Sequence, residues 1–282
     1  MSFPPFFCGL PFTSRQAGKK LAWLLSSGEI HQLLKGVYVA TGTPDTVELR
    51  AAAAALVIPS NAIACGETAA WIHGIPTTAL GPRTVRVQWT RTAADVVEVC
   101  GLRVISPIAT GVELAMQLHR PFALSAVDAL LRSGKADRFA IRAASAEYAG
   151  RPGIRQASEI LRYADRRAES PGESWLRLRL IDAGFGQPQL QFRVKGPARD
   201  YRIDVAYPEF VDGRRLGLEY DSDLWHSRDR DHVRDEARRG ELEALGWHII
   251  PVHRTDLWGS YPALELAVGS FLCVWPRLPR RW

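Results

Sequence analysis

No CxxC pair occurs in this sequence, and its four cysteines, Cys8, Cys65, Cys100 and Cys273, are scattered along the chain. That spacing supports neither a cysteine-clustered zinc site nor a disulfide framework, and reduced thiols are the expectation. Long apolar runs are also missing. The longest, Ala51 to Ile58, falls well short of the roughly 20 residues that span a bilayer. The opening MSFPPFFCGLPF has neither the basic start nor the apolar centre of a signal peptide. A cytoplasmic protein without membrane association is expected. Internal repeats and low-complexity tracts are absent too. Charge is not one-sided overall, but it is uneven. Residues 1–168 carry 19 Lys+Arg against 12 Asp+Glu, or +7, and residues 169–282 carry 17 against 18, or −1. A basic front half suits a polyanion, and a near-neutral rear half leaves room for an acidic metal site.

What is present divides into three regions. Residues 1–43 read as helix, turn, helix, hairpin. Thr13 or Ser14 caps a short helix, LAWLLSSG supplies a second one ending at Gly28, and IHQLLKGVYVA turns near Lys35-Gly36. This is the order of a winged helix, whose second helix enters a major groove while its wing meets phosphates. Residues 44–168 read as mostly helical, with TVRVQW and LRVIS as the strand candidates and one helix running from IRQASEILRY through ADRRA. A boundary falls at residues 168–174, where Pro171 and Gly172 break the preceding helix. Residues 169–282 then read as helix, three strands, helix, strand, helix. That is an α/β plan with one central mixed sheet flanked by helices.

The second and third of those strands, YRIDVAYP and RLGLEYD, carry acids in unusual positions. Alternation places Ile203 and Val205 on one face and Arg202 and Asp204 on the other. In the second strand, Glu219 and Asp221 lie opposite Leu216, Leu218 and Tyr220. Paired as a hairpin, the strands bring Asp204, Glu219 and Asp221 to one polar edge. Clustered carboxylates call for a cation, commonly Mg²⁺ with Mn²⁺ as a substitute. The ordinary alternative is a solvated hairpin edge.

The order of these pieces resembles the very-short-patch-repair endonuclease branch of the PD-(D/E)XK nucleases. It is carried by ES at 173–174 before LRLRL, RIDVAYPE at 202–209, LEYD at 218–221, His226, Arg234-Asp235, and LEALGWHIIPV at 242–252. The resemblance implies a restriction-endonuclease-like domain in which Asp204 and Glu219 bind metal and Glu173 supports them. Asp221 stands where that family's lysine would be, and His226 becomes a candidate general base. SSGEIHQLLKGVYVA at 26–40 and TAAWIHGIP at 68–76 resemble the N-terminal winged-helix domain of AbiEi-type antitoxins.

Candidate DNA contacts are Lys19, Lys20, His31 and Lys35 in the front region and Trp225, Arg230 and Arg234 behind. Arg230, Arg234 and Arg238 form a stripe on one helix face, but their spacing from Asp231 and Asp235 reads more ordinarily as a salt-bridged, solvated face. Trp247 opens a buried strand and reads as core. His73 reads as a helix-end hydrogen-bonding group. Two functions remain open. One is a Mg²⁺-dependent DNA endonuclease delivered to DNA by the winged helix, with a DNA-modification or repair partner. The other, supported by the missing lysine, is an antitoxin-like transcriptional regulator with an inactive nuclease fold and a cognate toxin.

Overall fold

A computed structural model of the chain describes residues 9–76, 79, 85–89, 95–221 and 229–282, with the backbone alone over 229–235. Their contacts group into two units, residues 1–119 with 133–162, and residues 120–132 with 163–282. These units do not follow chain order, as the division into 1–43, 44–168 and 169–282 does. Among the described residues, no helix is long and apolar enough to cross a membrane.

The first unit opens with β1 (Phe12–Thr13), α1 (Ser14–Ala17), a 3-10 turn over Gly18–Lys20, α2 (Leu21–Ser26), β2 (Ile30–Leu34) and β3 (Val37–Ala40). The strands form an antiparallel sheet in the order β1-β3-β2. Phe12, Leu24, Ile30 and Tyr38 make its core, with Leu21 and Ala17 packed against them. Gly36 turns the hairpin at φ +81°, a backbone that only glycine adopts freely. Four apolar residues thus hold two very short helices on a hairpin.

Next come α3 (Val47–Ala55), β4 (Ile63–Ala64), α4 (Gly66–Ile72), β5 (Val87–Gln88), β6 (Val96–Val99), β7 (Leu102–Ile105) and α5 (Pro107–Gln117). After α6 (Arg120–Arg132), which belongs to the second unit, α7 (Arg138–Ala144) and α8 (Ile154–Tyr163) complete the first. Strands β5-β4-β7-β6 form a second, mixed sheet. The middle of the chain is therefore less helical than its sequence reads. A two-residue strand such as β4 has no periodicity to display. The last helix also stops at Tyr163, not near 168, and Asp165 turns the chain by accepting from the N–H of Arg167. Arg50 is buried and doubly bonded to Asp45, and it also donates to the carbonyls of Trp71 and Ile75. His73 ends α4 with Nε2 2.8 Å from the carbonyl oxygen of Ile105, and burial lowers its pKa. Its role is structural.

The second unit contains α6, α9 (Pro171–Asp182), β8 (Gln189–Lys195), β9 (Asp200–Val211), β10 (Arg214–Tyr220), α10 (Asp229–Ala244), β11 (Trp247–Val252), α11 (Arg254–Trp258) and α12 (Ala263–Leu272). Its sheet runs β11-β10-β9-β8, with β10 parallel to β11 and the other pairs antiparallel. Leu176 and Leu180 of α9 and Leu264 and Val268 of α12 share one cluster with Val205, Leu216, Leu218 and Val252. A second cluster joins Leu242 of α10 to Ile203, Ala206, Trp247 and Ile249. Buried on both sides, the sheet is the central layer.

Pro171 does not end a helix here; it begins one. It follows the cap residue Ser170, whose hydroxyl accepts from the N–H of Glu173 at 3.2 Å. Proline suits a first helical position because its missing N–H has no intrahelical partner there. A deeper anchor lies one and two turns further along α9. Arg177 and Asp128 of α6 form an ion pair at 2.5 Å with both side chains out of water. Asp128 also accepts from Ser174 Oγ at 2.7 Å and from the N–H of Asp165 at 2.7 Å.

Candidate functional site

The site sits where β9 and β10 part. Their pairing proceeds through Leu216↔Tyr207, Gly217↔Ala206 and Leu218↔Val205. One residue further, Asp204 Oδ2 accepts the N–H of Tyr220 at 3.3 Å, so a side chain stands where a ladder bond would be. The faces also change at this point. Ile203 belongs to the cluster of Trp247, whereas Val205 belongs to that of Leu176. They do not share a face as strict alternation would require. The neighbouring strand is irregular at the same level. Gln191, opposite Asp204, has φ +52°, and this left-handed residue interrupts the pleat.

Three acids on three elements surround this break. Glu173, in the first turn of α9, is buried. Its Oε2 accepts from the N–H of Glu169 at 2.9 Å and from Gln191 Nε2 at 2.8 Å. Glu219 of β10 is held by Arg238 of α10, Nη1 to Oε2 at 2.5 Å, while its buried Oε1 has no hydrogen-bond partner among the described residues. Asp204 lies between them. Burial, then the charges of Glu173 and Glu219, push its carboxyl up to about 7, against the N–H of Tyr220 and the guanidinium of Arg238. A carboxyl poised near neutrality among like charges is common in functional sites.

Asp221 is set apart. It follows β10, its N–H donates to the carbonyl of Val252, and its carboxylate meets Arg239 at 3.4 Å. His226 and Trp225 lie outside the described residues, as do the side chains of Arg230 and Arg234. The described part of the arginine stripe does not end in solvent. Arg238 binds Glu219 and donates through Nη2 to the carbonyl of Arg202 at 2.8 Å, and Arg202 is doubly bonded to Glu169. Sequence reading missed Arg238 as a site residue because helix spacing offered it nearer acids. It missed Gln191 because one polar residue in QLQFRV carries no distinguishing signal.

Among the described residues, no three His, Cys, Asp or Glu side chains are grouped closely enough to hold a metal ion as they stand. The donor chemistry nevertheless suits a hard cation. Every candidate ligand is an oxygen, and among the described residues the buried Glu219 Oε1 and Gln191 Oε1 both lack a donor. The arginine on Glu219 neutralises part of the cluster in the free protein.

Gly172 controls how closely α9 approaches. A Cβ there would lie 2.0 Å from the Tyr220 ring. Gly172→Ala is expected to move α9 off β10, destabilising the protein by about 1–3 kcal/mol and withdrawing Glu173 from Asp204. Urea unfolding checks this, and an unchanged midpoint would contradict the close approach.

In the first unit Lys19 and Lys20 are exposed just before α2, His31 is exposed on β2, and Lys35 is exposed at the hairpin turn. Helix α2 itself exposes Ala22, Trp23 and Leu25. Those side chains carry few donors for base edges, so the lysines of this region are better placed to meet phosphates than bases. Of the tryptophans, Trp247 is buried, and Trp258 packs among Phe122, Trp175 and Trp282 with ring centres 5.1–5.7 Å apart.

Together these features define a mixed α/β protein, with a small helix-and-hairpin module in one unit and an acidic sheet site in the other. Two Mycobacterium tuberculosis proteins, Uncharacterized protein MT2308 of strain CDC 1551 / Oshkosh and Uncharacterized protein Rv2248 of strain ATCC 25618 / H37Rv, are each 36% identical to it over 246 residues. The alignment covers 83% of this chain and 89% of each relative. The chain belongs to the family of these mycobacterial proteins. Residues 77–163 match the family described as AbiEi antitoxin C-terminal domain. The antitoxin likeness is thus found on the middle of the chain, beyond residues 26–40 and 68–76. No solved structure matches the chain.

Proposed function

We propose that the protein is a DNA-binding regulator of the antitoxin type, acting with a cognate toxin. The match of residues 77–163 to the AbiEi antitoxin C-terminal domain carries this reading. The exposed lysines of the helix-and-hairpin module support it, since they can meet a duplex backbone. Changing Lys19, Lys20 and Lys35 together to Ala removes three cations. If all three meet phosphates, affinity for operator DNA falls roughly 10–100-fold, and the slope of log K against log salt becomes shallower by about 3. Fluorescence anisotropy over a salt series checks both. Equal affinity and slope in the triple variant would remove the module from the DNA contact.

A second reading, a metal-dependent DNA endonuclease, is favoured by one observation. The charges of Glu173 on α9 and Glu219 on β10 both act on the Asp204 carboxyl of β9. When bound there, Mg²⁺ or Mn²⁺ would supply an activated water and charge stabilisation for a phosphoryl group. Asp204 and Glu219 would hold the ion, and Glu173 would support them. Arg238 would exchange Glu219 for a phosphate oxygen of the bound strand. Asp221 and His226 are the remaining candidates to orient water. Nicking of plasmid DNA in Mn²⁺ that disappears in Asp204→Asn would establish this activity, and nicking that survives in the variant would refute it.

A further inference from the structure

Helix α2 presents apolar side chains to solvent where a groove-reading helix usually presents donors. Leu24 is buried in the module core and Leu21 packs beside it, while Ala22, Trp23 and Leu25 are exposed. Trp23 and Leu25 each keep 40% of their surface in water. The serines at the end of the helix do not change this character. Ser26 Oγ donates to the carbonyl of Trp23 at 2.9 Å, and Ser27 Oγ donates to that of Leu24 at 3.1 Å. Their protons are committed to the helix itself. Apart from the Trp23 indole N–H, α2 then has no side-chain donor left for a base edge.

The charges around this face select a polyanion. Residues 1–40 hold four Lys or Arg, namely Arg15, Lys19, Lys20 and Lys35, against one acid, Glu29. All four cations are exposed. Trp23 follows Lys20 by three positions and Lys19 by four, the spacings that place side chains on one helix face. An apolar face flanked by cations suits the floor of a DNA groove, whose rims are phosphates. In the major groove the apolar feature of the base edges is the thymine C5-methyl, and apolar side chains pack against it. Helix α2 has 6 residues, so it is roughly 9 Å long. That length covers about three base-pair steps.

We propose that Ala22, Trp23 and Leu25 give the protein a preference for thymine, packing against C5-methyl groups in the major groove while Lys19, Lys20 and Lys35 hold phosphates at its rims. This rests on the DNA-binding regulator reading above and names the base that α2 reads.

The test is fluorescence anisotropy of the full chain in EDTA with two forms of one probe. The first is the duplex upstream of the protein's own coding sequence, and the second is that duplex with every thymine replaced by uracil. Uracil keeps each base pair and removes only the methyl. One lost methyl contact costs roughly fourfold in affinity, so two or three contacts correspond to about 10- to 50-fold. Wild type is expected to bind the uracil duplex more weakly by that factor. Trp23→Ala combined with Leu25→Ala should bind both duplexes equally within about threefold. Both side chains lie outside the module core, so the double variant keeps its fold. Trp23→Leu retains an apolar side chain and should retain most of the thymine preference. Equal wild-type affinity for the two duplexes, each bound in preference to unrelated DNA, would overturn the thymine preference and leave the regulator reading standing. A thymine preference that persists in the double variant would overturn the role of α2. Full affinity of that variant for the thymine duplex would do the same and leave the apolar face to a protein partner. No binding of either duplex by wild type would remove the regulator reading and this inference with it.

Discussion

Asp128→Ala is expected to cost about 3–5 kcal/mol, the largest effect of any single substitution considered. The variant leaves the Arg177 guanidinium, fully out of water, without its carboxylate. It also removes the shorter of the two acceptors of Ser174 Oγ and the acceptor of the Asp165 N–H. Burial pushes the Asp128 carboxyl up while the Arg177 charge holds it down, so the pair is held by mutual compensation. Replacing both partners by apolar residues, Asp128→Leu with Arg177→Met, should recover most of the loss, because neither desolvated group is then left alone. Urea unfolding of the two single variants and the double variant measures this. A cost below about 1 kcal/mol for Asp128→Ala would show that the pair does not tie α6 to α9.

Asp204→Asn is expected to stabilise the metal-free protein by a margin that grows as pH rises from about 4 to about 7. The folded carboxyl titrates at about 7, raised from 3.8. Between those values the native state holds a proton that the unfolded chain has released, so wild-type stability falls as pH rises through this window. The shift corresponds to up to about 4 kcal/mol at pH 8. Asparagine never ionises, and its oxygen can still accept the N–H of Tyr220. The variant should therefore match wild type near pH 4, exceed it increasingly up to about pH 7, and keep a level margin from there to pH 8. Chemical unfolding across pH 4–8 provides the check. Parallel pH profiles for the two proteins would show that Asp204 carries no such burden. A bound cation reverses the comparison, since it favours the ionised wild-type carboxylate.

The rear half of the chain was legible because its strands are long, apolar and bounded by turns. WHIIPV forms β11 over the same six residues that the sequence marks, and Asp212-Gly213 turns the hairpin between β9 and β10. The middle was less legible. ALSAVDALLR at 123–132 reads as one more helix of a helical series, but it packs against α9, where Asp128 meets Arg177, a pairing 49 residues apart that no local pattern announces. Within the site, the acids were visible through their contrast with apolar neighbours. Their arrangement was not. Alternation assumes regular strands, and the left-handed backbone at Gln191 breaks that assumption opposite Asp204. Arg238 was likewise assigned to helix neighbours by spacing, while the fold brings it to Glu219.

The measurement that tests the regulator reading most directly is a footprint of the protein on the DNA upstream of its own coding sequence, made first in EDTA and then in Mn²⁺. Sequence-specific protection in EDTA that Mn²⁺ leaves unchanged is the predicted result. No protection in EDTA, with strand breaks appearing in Mn²⁺, would contradict it and identify the acidic site as the working part of the protein.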